Sequence, residues 1–286
     1  MTIRNPVEWG YDAVRGTIHG VGRTAHDWHR SKESLSDPPP RVRYITDLDI
    51  VDVLKKGFAD FGACRTDVLF LALVYPLAGL VLAQLTLQNA MLPLLFPLVS
   101  GFALIGPFAA AGLYEMSRRR ELGQEVSWSD SMGVFSRPAF GAFVALGLLL
   151  TVIFLLWLAS AMAIYWLTFG MHVPASITEF ARQVFTTSEG WTLIVAGVGV
   201  GFLFALLVLV ISVVSFPLLL DRNVSMRTAI ETSARAVAAN PVPMLLWGLV
   251  VASGLVLGAI PLLLGLIVVM PVLGHATWHL HRKVLQ

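Results

Sequence analysis

Charge is scarce in this 286-residue sequence. Asp, Glu, Lys and Arg make up 13% of it, about half the roughly 25% of a soluble domain. Residues 68–114, 138–178 and 236–281 contain none of the four. Uncharged apolar stretches of about 18 residues or more read as membrane spans. That excludes a soluble enzyme, a nucleic-acid-binding domain and a disordered chain. Cysteine is nearly absent too. Cys64 stands alone, so no internal disulfide or Cys-based metal cluster is expected, and the thiol reads as a packed side chain. A pI near 8.9 comes with a net charge of only +2 and no long basic tract, so no nucleic-acid partner is expected. The first thirty residues lack the apolar core of a cleavable signal. The first span is therefore expected to act as an uncleaved insertion signal.

Signatures of chemistry are missing as well. The sequence has no H-E-x-x-H, no G-x-S-x-G and no phosphate loop. The cores of the first five of six expected spans hold only Ser, Thr and an occasional Gln among polar residues. Ionisable groups at membrane depth mark proton relays and charged pores, so neither is expected, nor is an intramembrane protease. A carrier for a neutral or apolar solute stays compatible. No catalytic residue and no cofactor are expected, and the chain does not read as an enzyme.

Hydrophobic residues supply 56% of the chain, and the mean hydropathy is +0.75. The apolar blocks run about Val68 to Leu87, Leu92 to Tyr114, Phe140 to Phe169, Trp191 to Leu220, and Val242 to Ala276. As one helix the last block would be about 52 Å long, against a hydrocarbon core of about 30 Å. Two spans fit better, with a break near Gly258-Ala259-Ile260-Pro261. Six crossings put 19 of the 20 Lys and Arg residues on one side, which the positive-inside rule makes cytoplasmic. Both termini are then cytoplasmic. The outward loop of any size, 170–190, holds His172, Glu179 and Glu189. The fold expected is all-α: six spans as three hairpins in a bacterial inner membrane.

Each odd span follows an amphipathic stretch on the cytoplasmic side: Asp47 to Phe61, Trp128 to Phe140 and Val224 to Val237. Such stretches suit the membrane interface. In the first, Leu48, Val51, Leu54, Phe58 and Phe61 form the apolar stripe. Each even span carries a late proline, Pro107, Pro217 or Pro271. This pattern fits a threefold duplication and equally the plain alternation of any hairpin bundle. G-x-x-x-G occurs at Gly197/Gly201 and Gly254/Gly258 and favours internal packing over dimerisation.

Residues 1–46 read as a separate cytoplasmic arm and Pro-rich linker, with 47–286 as the transmembrane domain. Ile3, Val7, Tyr11, Val14, Ile18, Val21, Ala25 and Trp28 recur at spacings of four and three, a heptad seam. Gly10, Gly16, Gly20 and Gly22 weaken that helix, so it needs a surface: lipid headgroups or a partner. Val7, Tyr11, Val14, Ile18, Val21 and Trp28 are thus interface candidates. A loose extension is the alternative.

At the other end stands Gly274-His275-Ala276-Thr277-Trp278-His279-Leu280-His281-Arg282. His275 and His279 share a helix face. Two ligands leave a metal site incomplete, so the pair is a weak candidate and no metal is expected. The other reading has both imidazoles hydrogen-bonded to neighbouring loops, with Trp278 anchored at the membrane interface.

The closing segment Gly265 to His279, and the lead-in Asp47-Leu48 to Phe58-Ala59-Asp60-Phe61, resemble a bacterial integral membrane family, domain of unknown function 2189. The resemblance extends over about residues 45–284, and His281 departs from the family pattern. It implies a multi-span inner-membrane protein and brings no activity, cofactor or catalytic residue. Some family members carry labels pointing to haem-copper oxidase subunit I, and this sequence has too few buried His for that role. The functional expectation is a non-catalytic accessory or assembly subunit of a larger membrane complex, its partners being the bilayer and other membrane subunits. The alternative is a facilitative carrier for a small neutral solute.

Overall fold

A computed structural model of the protein describes residues 40–72, 110–124, 139–171, 174–261 and 264–286, with scattered positions between 84 and 137. The interface candidates of the N-terminal arm lie outside the described residues, as do most of the first two expected spans. Pro39–Gln286 form one compact unit. The described residues are helical apart from loops and one isolated bridge between Val42 and Leu285.

Helix α1, Asp47–Ala72, starts on a local signal. The Asp49 carboxylate accepts from both the backbone N–H and the hydroxyl of Thr46 at 2.9 Å. This satisfies one donor that every helix start leaves open. α1 then runs unbroken into the first expected span, so the first amphipathic stretch is not a separate interfacial helix. Its buried face is Ile50, Val53, Gly57 and Asp60, while Leu48, Val51 and Phe58 of the sequence-marked stripe are exposed.

Helix α2 is Ala111–Glu121, and α3 is Phe140–Phe169, at the bounds read from hydropathy. A short helix follows in the loop expected to face outward: α4, Ile177–Thr186. The fourth apolar block forms α5, Ser188–Ser212, and α6, Ser215–Asp221. Pro217 explains their separation. Its ring crowds the carbonyl four residues back and it has no N–H to offer, and the break falls at Val213-Val214. The N–H of Val214 is taken by the Ser233 hydroxyl at 3.3 Å. Pro271, by contrast, sits inside a continuous helix.

Helix α7 is Met226–Ala239, capped by the Ser225 hydroxyl. It was read as interfacial, yet Ala229, Thr232, Ser233, Ala236 and Val237 are buried in the protein. α8, Pro241–Ala259, and α9, Leu266–Val284, divide the last apolar block. The break falls where glycine and proline placed it. Gly254 and Gly258 let the two helices close: a Cβ on Gly258 would stand 2.9 Å from Leu266 Cδ2, and one on Gly254 3.3 Å from Val269 Cγ1. That G-x-x-x-G pair is used internally. Gly201 lies beside Trp157, whereas Gly197 faces open space.

Among the described residues, three helical stretches are long and apolar enough to cross a bilayer: Phe140–Phe169, Ser188–Asp221 and Pro241–Ala259. α3 and α5–α6 pack through Phe143 on Phe216, edge to face at 4.9 Å, and Trp157 on Phe204 at 5.8 Å. The indole N–H of Trp157 donates to the Pro97 carbonyl at 3.0 Å.

Candidate functional site

The polar side chains gather at one end of the unit, where α9 lies between α1 and α2. Contact there is close. A Cβ on Gly57 would come within 2.7 Å of both Ala276 Cβ and the Val272 carbonyl, and one on Gly274 within 2.6 Å of Leu113 Cδ1. Around these contacts four small networks form.

The first centres on Asp60. Its Oδ2 accepts from Ser117 Oγ at 2.6 Å and lies 2.9 Å from His279 Nε2. Its Oδ1 accepts from Arg120 at 2.7 Å, and Arg120 also reaches the Ala59 carbonyl at 2.8 Å. Burial pushes the Asp60 carboxyl upward, but the hydrogen bonds from His279 and Ser117 outweigh it and hold the group below the usual carboxylate value. Ser117 Oγ is also 2.7 Å from His275 Nδ1. A hydroxyl has one hydrogen, and an ionised carboxylate can only accept. Ser117 therefore donates to Asp60, and His275 Nδ1 donates to Ser117. His275 Nε2 is sealed inside the protein and has no hydrogen-bond partner among the described residues. This order reverses that of a hydrolase triad, where histidine takes the serine proton and the acid holds the histidine.

The second network centres on Glu115, which is fully buried. Arg118 binds it through two nitrogens at 2.9 Å, Arg119 at 3.1 Å, and Arg137 at 2.8 Å to both oxygens. Burial raises this carboxyl's pKa, and the three guanidinium partners more than reverse that.

In the third, Glu121 accepts from Trp278 Nε1 at 3.1 Å and from Arg282 at 3.0 Å. Trp278, read from sequence as an interfacial anchor, is instead buried. The Glu121 carboxylate takes its N–H, so the indole needs no headgroup or water. His281 is buried beside it, with Nε2 3.4 Å from Asp221, and burial pushes its pKa down.

The fourth is a strap. Arg43 N–H donates to the Val284 carbonyl at 2.7 Å, and Gln286 N–H to the Arg41 carbonyl at 3.0 Å. Ile45 N–H donates to Asn240 Oδ1 at 2.8 Å, while Asn240 Nδ2 returns to the Arg43 carbonyl at 3.0 Å. Lys283 completes it, 2.9 Å from Asp49 and 3.1 Å from Asp52.

The strap has a predictable response to acid. The Thr46 backbone N–H and the Lys283 ammonium hold the Asp49 carboxyl at about 2, below its ordinary 3.8. A depressed folded-state pKa contributes stability above the unfolded value and loses it as pH falls through the folded one. Protection of the amides at residues 283–286, taken relative to their intrinsic exchange at each pH, should therefore hold down to about pH 4 and fall between pH 4 and 2. Asp49→Asn should weaken the pH dependence of that protection, leaving the part that Asp52 carries through its own contact with Lys283. An unchanged profile in the variant would refute the assignment.

His275 and His279 thus do converge on one unit, through side chains of two helices rather than through loops. Among the described residues no group of three His, Cys, Asp or Glu is placed to hold a metal. Sequence reasoning missed Glu115, Ser117 and Glu121. One signal was available: Glu115 closes the charge-free run and sits three and four residues before Arg118 and Arg119, the spacing of helical ion pairs.

Long apolar helices bound to a buried polar end define an all-helical integral membrane protein. Residues 95–221 match the model of a family described as Predicted integral membrane protein (DUF2189), the same family that the sequence resembles. The matched residues run from the second apolar block through α6, whereas the lead-in and closing motifs that carried the resemblance lie outside them. No curated protein and no solved structure matches the chain.

Proposed function

We propose that this protein is a non-catalytic accessory or assembly subunit of a larger complex in a bacterial inner membrane. It crosses six times and keeps both termini in the cytoplasm. The observation that carries this reading is the mutual saturation of its reactive groups. Asp60 is engaged by Ser117, His279 and Arg120, and Glu115 by three arginines. Ser117 and His275 are shut off from solvent. Among the described residues, groups engaged with one another in this way fix helices in place rather than face a substrate as acid, base or nucleophile.

Purification in mild detergent followed by native mass spectrometry tests the role. The expected result is a complex of fixed stoichiometry with other membrane subunits. A lone monomer, in a strain where deletion leaves every membrane complex intact, would overturn it. A reporter fused after Gln286 tests the threading separately: six crossings give a cytoplasmic signal, and five a signal on the far side.

A further inference from the structure

Helix α4 is amphipathic, and its apolar side is uncovered. Ile177, Phe180, Ala181, Val184 and Phe185 recur at i, i+3, i+4, i+7 and i+8, the stripe of a helix with one buried face. Phe180 uses its share on α3, edge-on to Tyr165 at 6.1 Å and to Phe169 at 6.5 Å. Among the described residues Ile177 and Phe185 have no such ring contact, and they stay 51% and 65% exposed. The opposite face is closed electrostatically. Glu179 pairs with Arg182 at 2.7 Å and accepts from Gln183 at 2.8 Å, so the helix presents no net charge.

Its attachment is rigid. The Ser176 hydroxyl caps its start. Thr187 closes its end by donating to the Gln183 carbonyl at 2.7 Å and accepting from Gly190 N–H at 3.0 Å. Any Cβ on Gly190 would collide with the Val184 carbonyl, so the corner between α4 and α5 admits only glycine. At this same end α3 exposes Trp166 and Leu167, the turn after it Met171, and α5 Trp191. Tryptophan is enriched where a span leaves the hydrocarbon.

The geometry points to α4 as a lipid-docking element: it lies along the headgroup–acyl boundary of the outer leaflet, with Ile177 and Phe185 inserted. The inference rests on the reading that α3 and α5 cross the bilayer. Continuity with their apolar flanks and the adjoining tryptophans selects lipid as the occupant over a protein partner. The internally neutralised polar face makes the docking independent of anionic lipid, because burial rather than charge holds it.

Nitroxide labels on single cysteines at 177, 182, 185 and 186, in a Cys64→Ser background, test this in proteoliposomes of purely zwitterionic lipid. Labels at 177 and 185 should collide several-fold more with oxygen than with a water-soluble nickel chelate. Labels at 182 and 186 should show the reverse. Adding anionic lipid should leave the pattern unchanged. Nickel-dominated collisions at 177 and 185 would overturn the inference, and so would immobilised labels that meet neither reagent. The collision pattern does not depend on threading. Labelling of Arg182→Cys by an impermeant thiol reagent reports the side separately, so an error in topology stays distinguishable from an error about lipid.

Discussion

Gly57→Ala should destabilise the protein by about 3 kcal/mol, the upper range for forcing volume into a packed contact. It should appear as a large fall in the thermal midpoint measured in detergent. A methyl there meets the Val272 carbonyl oxygen at 2.7 Å and the Ala276 nitrogen at 2.9 Å, besides the Ala276 side chain. Main-chain atoms of a helix cannot rotate aside, so α1 and α9 must separate. Separation would stretch the Asp60–His279 and Lys283–Asp49 contacts along the same seam. Gly62→Ala supplies the control, in the same helix and with nothing within 4 Å of its Cβ. There the only effect is helix propensity, worth up to about 1 kcal/mol in favour of alanine. Equal losses from the two variants would show that the close approach is not what matters.

Glu115→Gln should cost a similar amount, about 3 kcal/mol, at the low end of the range for removing one partner from a buried ionic network. Glu115 is 1% exposed, and its three arginines are 19%, 29% and 26% exposed. Water screens the arginines in part, which keeps the loss from reaching the top of that range. Without the carboxylate, three guanidinium groups remain drawn together around a neutral amide. Removing one of them should relieve the repulsion. Glu115→Gln combined with Arg137→Gln should therefore be more stable than Glu115→Gln alone, read as the chemical-denaturation midpoint. A double variant less stable than the single would refute the account.

How much of this was legible in the sequence depended on the range of the forces involved. The limits of α3 and the break between α8 and α9 follow from hydropathy and from glycine and proline, all local quantities, and they emerged at the expected places. The polar end did not emerge. Asp60, Ser117 and His275 lie far apart in the chain, and only the docking of α9 against α1 and α2 brings them within hydrogen-bond reach. Trp278 was misplaced for the same reason, since its partner Glu121 is 157 residues away. The apolar stripe of α1 misled because helix periodicity finds a greasy face without saying what covers it. The covered face carries Gly57 and Asp60, residues chosen for closeness and for charge. α4 went unnoticed because one paired Glu and Arg made a short loop look merely polar.

The strap sets a condition on how the protein is made. Lys283 reaches back 234 residues to Asp49, and Asn240 reaches back 195 to Ile45. While the ribosome is still translating the intervening helices, α1 has no α9 to receive Gly57 and no His279 to share Asp60. Pairings between distant parts of a chain are late events in folding. Ser117 and Arg120 of α2 can reach Asp60 early, but the Gly57 groove and Asp49 must wait for α9 through nearly the whole of synthesis. Until α9 arrives, that groove is a surface an insertion chaperone would have to shield.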